Sequence, residues 1–190
     1  SLTIIVPFFN EEEYLQKSVE RLLKLDCYEK IILFDDCSTD NSYQIARKLE
    51  RSYPEIELHQ NNKNSGKGSC IISAKKFINT SHVIVHDADL EYDPQDISRL
   101  YEKSIKYPGD LILGSRTIGS IKRYKKYKSL VVINKMLTSL FSLLNSYKIS
   151  DIASCYMLMP TSFLKEYIHE EKGFGIEVEI LSKFLSTNKV

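Results

Sequence analysis

The chain has 190 residues, of which 26 are Lys or Arg and 25 are Asp or Glu, giving a formal net charge of +1. A hydrophobic fraction of 43% is typical of a folded globular protein and excludes a mostly disordered chain. The small net charge provides no global field for nucleic acid, so we expect no nucleic-acid partner. Four scattered cysteines without a Cys-x-x-Cys pair argue against a zinc or redox motif and favour reduced thiols in the cytoplasm.

The length predicts a single domain over residues 1–190. No apolar run approaches the length of a membrane span, which favours a soluble domain. The last residues, 187–190, resemble the start of another strand, so we expect the natural protein to continue beyond Val190.

Strands and helices are predicted to alternate along the chain. Residues 2–6 form a continuous apolar strand that Pro7 is expected to end, and Asn10 is the expected N-cap of a helix whose first turn carries three acids. Periodicity predicts strands at 30–34, at 55–59 and from residue 81, and helices at 11–25, 42–52 and 69–79. This order predicts an α/β fold, with a mainly parallel central sheet and helices on both faces.

Acidic residues follow two of the buried strands. Asp35 and Asp36 come after the second strand, and Asp87 and Asp89 come after the strand from residue 81. An isolated Asp-x-Asp pair is more often a solvated strand end. Ligands, however, bind at the carboxyl ends of parallel strands, so acids at two such ends favour a shared functional site.

The spacing of Asp87 and Asp89 predicts a metal site. Successive side chains on an extended strand point to opposite faces, so the two carboxylates are expected on one side, with Ala88 between them. Two hard oxygen ligands at this spacing suit Mg²⁺ or Mn²⁺, which takes its other ligands from water and substrate phosphates. Glu91, two residues after Asp89, is expected to point to the same side as the two aspartates.

Four motifs stand in order on this frame: VPFFNEE from residue 6, FDDCSTD from residue 34, NSGKG from residue 64 and DAD from residue 87. Together they resemble a family 2 glycosyltransferase of the GT-A (Rossmann-like) fold. The sequences GSR from residue 114, DIAS from residue 151 and GFGIEVE from residue 173 are most similar to the polyprenyl-phosphate (dolichyl-phosphate) mannosyl- and glucosyltransferase branch.

The resemblance implies how a sugar nucleotide would be bound. Asp36 is the expected acceptor for a base N–H, with Asp35 close by, because a carboxylate only accepts hydrogen bonds when ionised. Lys67, between two glycines, and Arg116, with its planar fork, are the expected cations at the diphosphate. The predicted nucleotide-sugar site comprises Pro7, Phe9, Glu11, Asp35, Asp36, Lys67, Asp87, Ala88 and Asp89, and the predicted metal ligands are Asp87, Asp89 and Glu91.

A basic segment precedes a second apolar stretch. Lys122, Arg123, Lys125, Lys126 and Lys128 alternate with two tyrosines, and a broad apolar face on a predicted helix follows directly. A basic segment beside an amphipathic helix is typical of a peripheral enzyme at an anionic bilayer. The alternative is a solvated loop followed by a core helix.

The family resemblance, together with these patterns, implies an inverting, metal-dependent transfer of a hexose from UDP- or GDP-hexose to a polyprenyl phosphate at the cytoplasmic face of a membrane. Asp89, Arg116 and Asp151 are the expected catalytic residues, and Arg116, Lys125, Lys126 and Lys128 are expected to bind the acceptor phosphate. A family 2 enzyme acting on a sugar hydroxyl in surface polysaccharide synthesis would instead need Asp151 as general base. A non-catalytic sugar-nucleotide binding module is a further alternative.

A phosphoacceptor signalling domain also combines clustered aspartates with a Lys on a parallel sheet. It would require an acid pair after the first strand, whereas this strand is followed by Pro7-Phe8-Phe9. The sequence therefore disfavours that class of protein. Lys67 between its glycines favours UDP-sugars over GDP-sugars slightly, again by resemblance.

Overall fold

The computed structural model describes residues 1–115, 128–152, 154–167 and 170–187, and describes the side chains of the helix that begins at residue 128 only from residue 132. In this part of the chain six strands form one sheet in the order β3-β2-β1-β4-β6-β5. The strands are β1 (Leu2–Phe8), β2 (Lys30–Asp35), β3 (Ile56–Gln60), β4 (His82–Val85), β5 (Ile112–Leu113) and β6 (Met157–Pro160).

The sheet is mainly parallel, as predicted. β1 pairs in parallel with β2 and with β4, and β2 pairs in parallel with β3. β6 is antiparallel to both β4 and β5. Because the first four strands run the same way, the loops that leave β1, β2 and β4 meet at one edge of the sheet.

Helices cover both faces of the sheet. They are α1 (Leu15–Leu22), α2 (Ser42–Ser52), α3 (Lys67–Ala74), α4 (Gln95–Lys106), α5 (Lys128–Leu144), α6 (Thr161–Glu166) and α7 (Ile176–Thr187), with a 3-10 turn at Lys75–Phe77. Alternation along β1 sends Ile4 and Val6 into a core with α1, α2 and α4, and Ile5 into a second core with α3, α6 and α7. The predicted α/β class and the helix at 42–52 are confirmed.

The prediction that Pro7 ends the first strand is wrong, because β1 continues to Phe8 with Pro7 in register with Phe34. The carbonyl of Ile5 accepts a hydrogen bond from the His86 N–H, so Ile5 and, by alternation, Pro7 face the β4 side. β4 ends at Val85, so the missing N–H of proline costs no ladder hydrogen bond there.

The predicted helix at 11–25 begins later, at Leu15, and Asn10 is not its N-cap. Asn10 has a φ of 56° and uses its side-chain oxygen to accept the Thr39 N–H at 2.8 Å. The predicted helix at 69–79 also differs, because α3 starts at Lys67 and passes into the 3-10 turn after Ala74.

Candidate active site

A cavity of about 230 Å³ opens at the edge of the sheet where β1, β2 and β4 end. It contains most of the predicted donor-site residues, which arrive from three separate strand ends and from the start of α3. Its walls are formed by Pro7, Phe8, Phe9, Glu11, Asp36, Asn64, Gly66, Lys67, Cys70, Asp87, Ala88, Asp89 and Phe174.

Asp35 lies outside these walls, although it was predicted beside Asp36. Its side chain is fully buried, with Oδ1 accepting the N–H and the hydroxyl of Ser38 and Oδ2 accepting the side-chain amide of Gln60 at 2.7 Å. Asp35 therefore shapes the turn after β2 and does not face the cavity.

Asp36 faces the cavity and also organises the loop in front of α3. Its Oδ1 accepts hydrogen bonds from the Asn61 side-chain amide at 2.7 Å and from the Ser65 N–H at 2.9 Å. Its Oδ2 accepts the Gly66 N–H at 2.7 Å. One carboxylate thus fixes the glycine loop at the cavity wall while keeping acceptor capacity on Oδ2, since each carboxylate oxygen has about two acceptor sites.

The loops that follow β1 and β2 are joined by reciprocal hydrogen bonds. Asp40 accepts the Ser42 N–H at the start of α2 and the Glu12 N–H, and the Ser42 hydroxyl accepts the Glu11 N–H at 2.7 Å. These contacts hold Glu11 at the cavity, and they explain why the three acids after Asn10 form a turn instead of the first turn of a helix.

Asp87, Ala88 and Asp89 line the cavity together, but the reason differs from the predicted strand alternation. β4 ends at Val85, and residues 88–89 form a turn that Leu90 closes with a φ of 64°. The Glu91 N–H caps this turn by donating to Asp89 Oδ1 at 3.0 Å.

The carboxylates of Asp87 and Asp89 fit a divalent ion. Mg²⁺ is commonly bound by one or two carboxylates together with substrate phosphates and water, and Asp87 and Asp89 place two such carboxylates at this cavity. Glu91 is exposed and is not part of the cavity wall. Within the described ranges no three His, Cys, Asp or Glu residues are grouped closely enough to hold a metal ion by themselves.

Burial and neighbouring acids raise the pKa of two wall residues. Burial raises the pKa of Glu11, and the nearby carboxylates of Asp89, Asp40 and Asp87 raise it further. Partial burial also raises the pKa of Asp89, with a contribution from the charge of Asp87, although the Glu91 N–H opposes the shift. A cation in the cavity would therefore relieve repulsion among these groups.

Lys67 makes two ion pairs. Its Nζ lies 2.6 Å from Asp87 Oδ1 and 2.5 Å from Oε1 of Glu177 at the start of α7. Burial alone would lower the pKa of Lys67, but the carboxylates of Asp87 and Glu177 raise it. The predicted contact of Lys67 with a diphosphate stays a prediction, and its ammonium is held by these acids.

A buried network behind the Asp87 turn joins it to the segment before β6. His86 Nδ1 lies 2.8 Å from the Tyr156 hydroxyl and Nε2 lies 3.0 Å from the Ser18 hydroxyl. Burial lowers the pKa of His86 to about 4, so the ring is neutral near neutral pH. The Tyr92 ring packs on Tyr156, and its hydroxyl accepts the Cys155 N–H at 3.1 Å.

Asp151 is fully buried, and its Oδ1 accepts a hydrogen bond from the Asn134 side chain of α5 at 2.9 Å. It does not line the cavity. The residues predicted at the acceptor phosphate, which are Arg116, Lys125, Lys126 and the side chain of Lys128, lie outside the described part of the chain.

Several residues of the site were not predicted, and the wall residues among them are Phe8, Asn64, Gly66, Cys70 and Phe174. Phe174, in the segment before α7, is 85% exposed and lines the cavity, and Glu177 binds Lys67. The glycines around Phe174 are a local signal for a tight segment, but no local pattern indicates that it meets a loop far earlier in the chain.

The fold is that of GT-A glycosyltransferases. The structure aligns with Mycobacterium tuberculosis glucosyl-3-phosphoglycerate synthase in complex with Mn²⁺, UDP and phosphoglyceric acid, with a TM-score of 0.78 and 15% identity over 99% of this chain and 65% of that one. It also aligns with Staphylococcus aureus TarS in complex with UDP-GlcNAc, with a TM-score of 0.64 and 17% identity over 97% and 53% of the two chains.

Residues 3–168 match Glycosyl transferase family 2. The match covers most of the chain, and the chain belongs to this family. This is the family that the four motifs predicted.

The relatives lie in the predicted polyprenyl-phosphate branch. The chain is 28% identical over 187 residues to the dolichol-phosphate mannosyltransferase of Pyrococcus furiosus, covering 96% of this chain and 52% of that protein. It is 28% identical over 182 residues to the UDP-N-acetylglucosamine–dolichyl-phosphate N-acetylglucosaminyltransferase of Methanococcus voltae, covering 85% and 70%. It thus spans about half the length of the first relative.

Proposed function

We propose that the chain is the catalytic domain of an enzyme that transfers a hexose, with inversion, from a nucleoside diphosphate sugar to a polyprenyl phosphate. The observation that carries this proposal is the convergence of Asp36, Asp87, Asp89 and Glu11 on one cavity at the carboxyl ends of β1, β2 and β4. The names of the relatives, which act on dolichyl phosphate, support the acceptor class.

The donor would lie along the cavity from Asp36 to Asp89. The free acceptor capacity of Asp36 Oδ2 suits a base N–H, and Phe9, 40% exposed at the mouth, offers an apolar surface to the base. Pro7 and Glu11 complete the side that would receive the base and ribose. UDP- and GDP-sugars are both candidates.

Asp87 and Asp89 would hold Mg²⁺ or Mn²⁺, and Glu91 would become a third ligand after rearrangement of the turn. When bound, the ion supplies positive charge that stabilises the departing diphosphate. Gly114 follows β5 directly, and Arg116 lies two residues further along the chain. Arg116 would add a second cation at the same phosphates.

A phosphate acceptor fits the environment of Asp151. In the proposed reaction an ionised phosphate oxygen bonds to the anomeric carbon as the bond from that carbon to the diphosphate breaks, so no general base is needed. A sugar hydroxyl would need one. Asp151, fully buried and bonded to Asn134, is better suited to positioning the segment before β6 than to removing a proton.

Helix α5 supports peripheral contact with the membrane that carries the acceptor. Its exposed residues include several large apolar side chains, namely Val132, Ile133, Met136, Leu137, Leu140, Leu143 and Leu144. Such a face suits the interfacial region of a bilayer, and the basic segment before it would favour anionic lipids. No helix among the described residues is both long and apolar enough to cross a membrane. The four free thiols are consistent with the cytoplasmic face.

The test of function is a transfer assay with labelled UDP- and GDP-hexoses, a divalent ion, and polyprenyl phosphate in vesicles. We expect lipid-linked label with one donor, and none with the Asp89→Asn variant. Transfer only to a carbohydrate hydroxyl would replace the proposed acceptor. Donor binding without any transfer in the full natural chain would support the non-catalytic module.

The membrane contact has its own test in vesicle sedimentation. Met136→Glu places a charge on the apolar face of α5 and should reduce binding to vesicles that contain anionic lipid. Gln44→Glu adds the same charge on α2, at an exposed site remote from that face, and should leave binding unchanged. Equal binding of both variants and the wild type would contradict peripheral attachment through α5.

A further inference from the structure

Lys67 is buried between two carboxylates inside the donor cavity. The exposed fractions of the side chains are 9% for Lys67, 10% for Glu177 and 27% for Asp87. Lys67 is also the only basic residue among the described residues that line the cavity. A buried ammonium between two acids at 2.5 and 2.6 Å is a strongly restrained cation, and one of its partners is a predicted metal ligand.

The fold brings Glu177 to this position through a close backbone contact. A Cβ added to Gly66 would lie 2.4 Å from the Lys172 carbonyl oxygen, and one added to Gly68 would lie 2.4 Å from the Glu171 carbonyl oxygen. The Ser69 N–H donates to the Lys172 carbonyl at 3.1 Å. The segment before α7 therefore packs directly on the start of α3, which sets Glu177 beside Lys67.

We propose that Glu177 is a positioning residue that holds the Lys67 ammonium against Asp87 as a tethered counter-cation. In the absence of nucleotide, Lys67 and a divalent ion compete for Asp87. When the ion and a nucleoside diphosphate enter together, Lys67 keeps its bond to Glu177 and transfers its other hydrogen bond from Asp87 to the diphosphate. This inference rests on the proposed function, because it assigns how Lys67 responds to the two ligands proposed for that site.

The charges of the cavity support such an exchange. Asp87 and Glu177 contact the Lys67 ammonium, and Asp89 and Glu11 line the same cavity, so a divalent ion is attracted but must compete with Lys67 for Asp87 Oδ1. The diphosphate then supplies new acceptors for the displaced ammonium. The exchange would make metal binding weak alone and strong with the diphosphate, so the two ligands bind cooperatively.

The first test measures Mn²⁺ binding without nucleotide by electron paramagnetic resonance of the free ion. Lys67→Met removes the competing cation and should tighten Mn²⁺ binding by about tenfold, while weakening the binding of UDP or GDP in saturating Mn²⁺. Lys63→Met removes the same charge from an exposed position of the same loop, outside the cavity wall, and should change neither affinity. Unchanged or weaker Mn²⁺ binding by Lys67→Met would overturn the inference.

The second test separates positioning from folding. Glu177→Gln should weaken UDP or GDP binding in the presence of Lys67, but should have little effect in the Lys67→Met background, because Glu177 acts through Lys67. Equal losses in both backgrounds would assign Glu177 a structural role and contradict the proposal. Thermal unfolding of each variant checks that the comparison is made on folded protein.

Binding measurements also distinguish this inference from the proposed function. If the wild type binds Mn²⁺ and a nucleoside diphosphate, and Lys67→Met binds both with the same affinities, only the exchange is refuted. Protein that binds neither ligand refutes both. Cooperative binding that depends on Lys67 without transfer to a polyprenyl phosphate supports the exchange and refutes the acceptor assignment.

Discussion

The Asp36 carboxylate accepts the backbone N–H of Gly66 at 2.7 Å and so ties the end of β2 to the loop that starts α3. The same carboxylate accepts hydrogen bonds from Asn61 and Ser65, and it also faces the cavity. A single side chain therefore has both a structural contribution, through the loop, and a proposed contact with the base of the donor.

Replacement of Asp36 should affect both contributions. Asp36→Ala leaves buried donors unpaired and should lower the free energy of unfolding by about 1 to 3 kcal/mol. It should also raise the donor KM more than it lowers kcat. Asp35→Ala is the matched control, because Asp35 is fully buried outside the cavity and should affect stability with little change in KM. Equal losses in the two variants with unchanged KM would indicate a purely structural role for Asp36.

Removal of the charge of Asp89 should make nucleotide binding independent of metal. Asp89→Asn keeps the size of the side chain but removes a proposed ligand, so affinity for UDP or GDP in Mn²⁺ should fall by about tenfold or more and turnover should be lost. Asp110→Asn, at an exposed position, is the control. Wild-type calorimetry that gives the same nucleotide affinity with Mn²⁺ and with EDTA would refute the metal site.

The raised pKa of Glu11 predicts that the ligand-free site lowers the free energy of unfolding in a pH-dependent way. Its folded pKa lies above the unfolded value because of burial and the charges of Asp89, Asp40 and Asp87, so ionised Glu11 destabilises the fold. This destabilisation is fully present above the pKa of Glu11 in the folded protein, and it disappears below the pKa of Glu11 in the unfolded chain. Glu11→Gln should therefore raise the free energy of unfolding at neutral pH, with the gain declining as pH falls through that window.

Chemical denaturation at several pH values measures this effect. Glu102→Gln removes a carboxylate from an exposed position of α4 and serves as the control. A gain in stability for Glu11→Gln that is the same at acidic and neutral pH would contradict the electrostatic cause.

The buried network at His86 should contribute to stability. Tyr156→Phe removes the hydroxyl that pairs with His86 Nδ1 and should lower the free energy of unfolding by about 1 to 3 kcal/mol, because a buried polar atom loses its partner. Tyr107→Phe removes an exposed hydroxyl and should have no comparable effect. Equal stabilities of the two variants would show that the contact is not a stabilising hydrogen bond.

Much of the fold follows from local sequence. The helix at 42–52 has its predicted bounds because Ser42 begins an uninterrupted amphipathic pattern and Asp40 accepts the Ser42 N–H. Three of the acids that follow β2 and β4, namely Asp36, Asp87 and Asp89, line the cavity, whereas Asp35 does not. The antiparallel strand β6 was not predicted, since its four apolar residues are too few to distinguish a strand from a buried helix turn.

The remaining errors come from contacts between distant parts of the chain. Asn10 has the local character of an N-cap, but its side chain binds Thr39 in the loop after β2. Pro7 has the local character of a strand end, yet the early end of β4 removes the need for its N–H. The ion pairs of Lys67 with Glu177 and Asp87 were also not predicted, because Glu177 lies far from Lys67 along the chain.

The basic segment should bind the acceptor and not the donor. Replacing Lys125, Lys126 and Lys128 with Gln should reduce transfer to polyprenyl phosphate by about tenfold or more while leaving donor affinity intact, and raised salt should mimic the loss. Lys17, Lys48 and Lys106 are exposed lysines on α1, α2 and α4, and the same replacement there is the control. Two results together would favour the hydroxyl acceptor. The triple variant of Lys125, Lys126 and Lys128 would transfer to the lipid at the wild-type rate, and Asp151→Asn would eliminate activity.

The linkage in the product tests the central claim most directly. Phosphorus NMR of the purified product from the labelled donor and polyprenyl phosphate should show conversion of the phosphate monoester to a diester, with the anomeric configuration opposite to that in the donor. A product in which the phosphate remains a monoester and the sugar is attached to a hydroxyl, or in which the donor's configuration is retained, would contradict the proposed inverting transfer to a lipid phosphate.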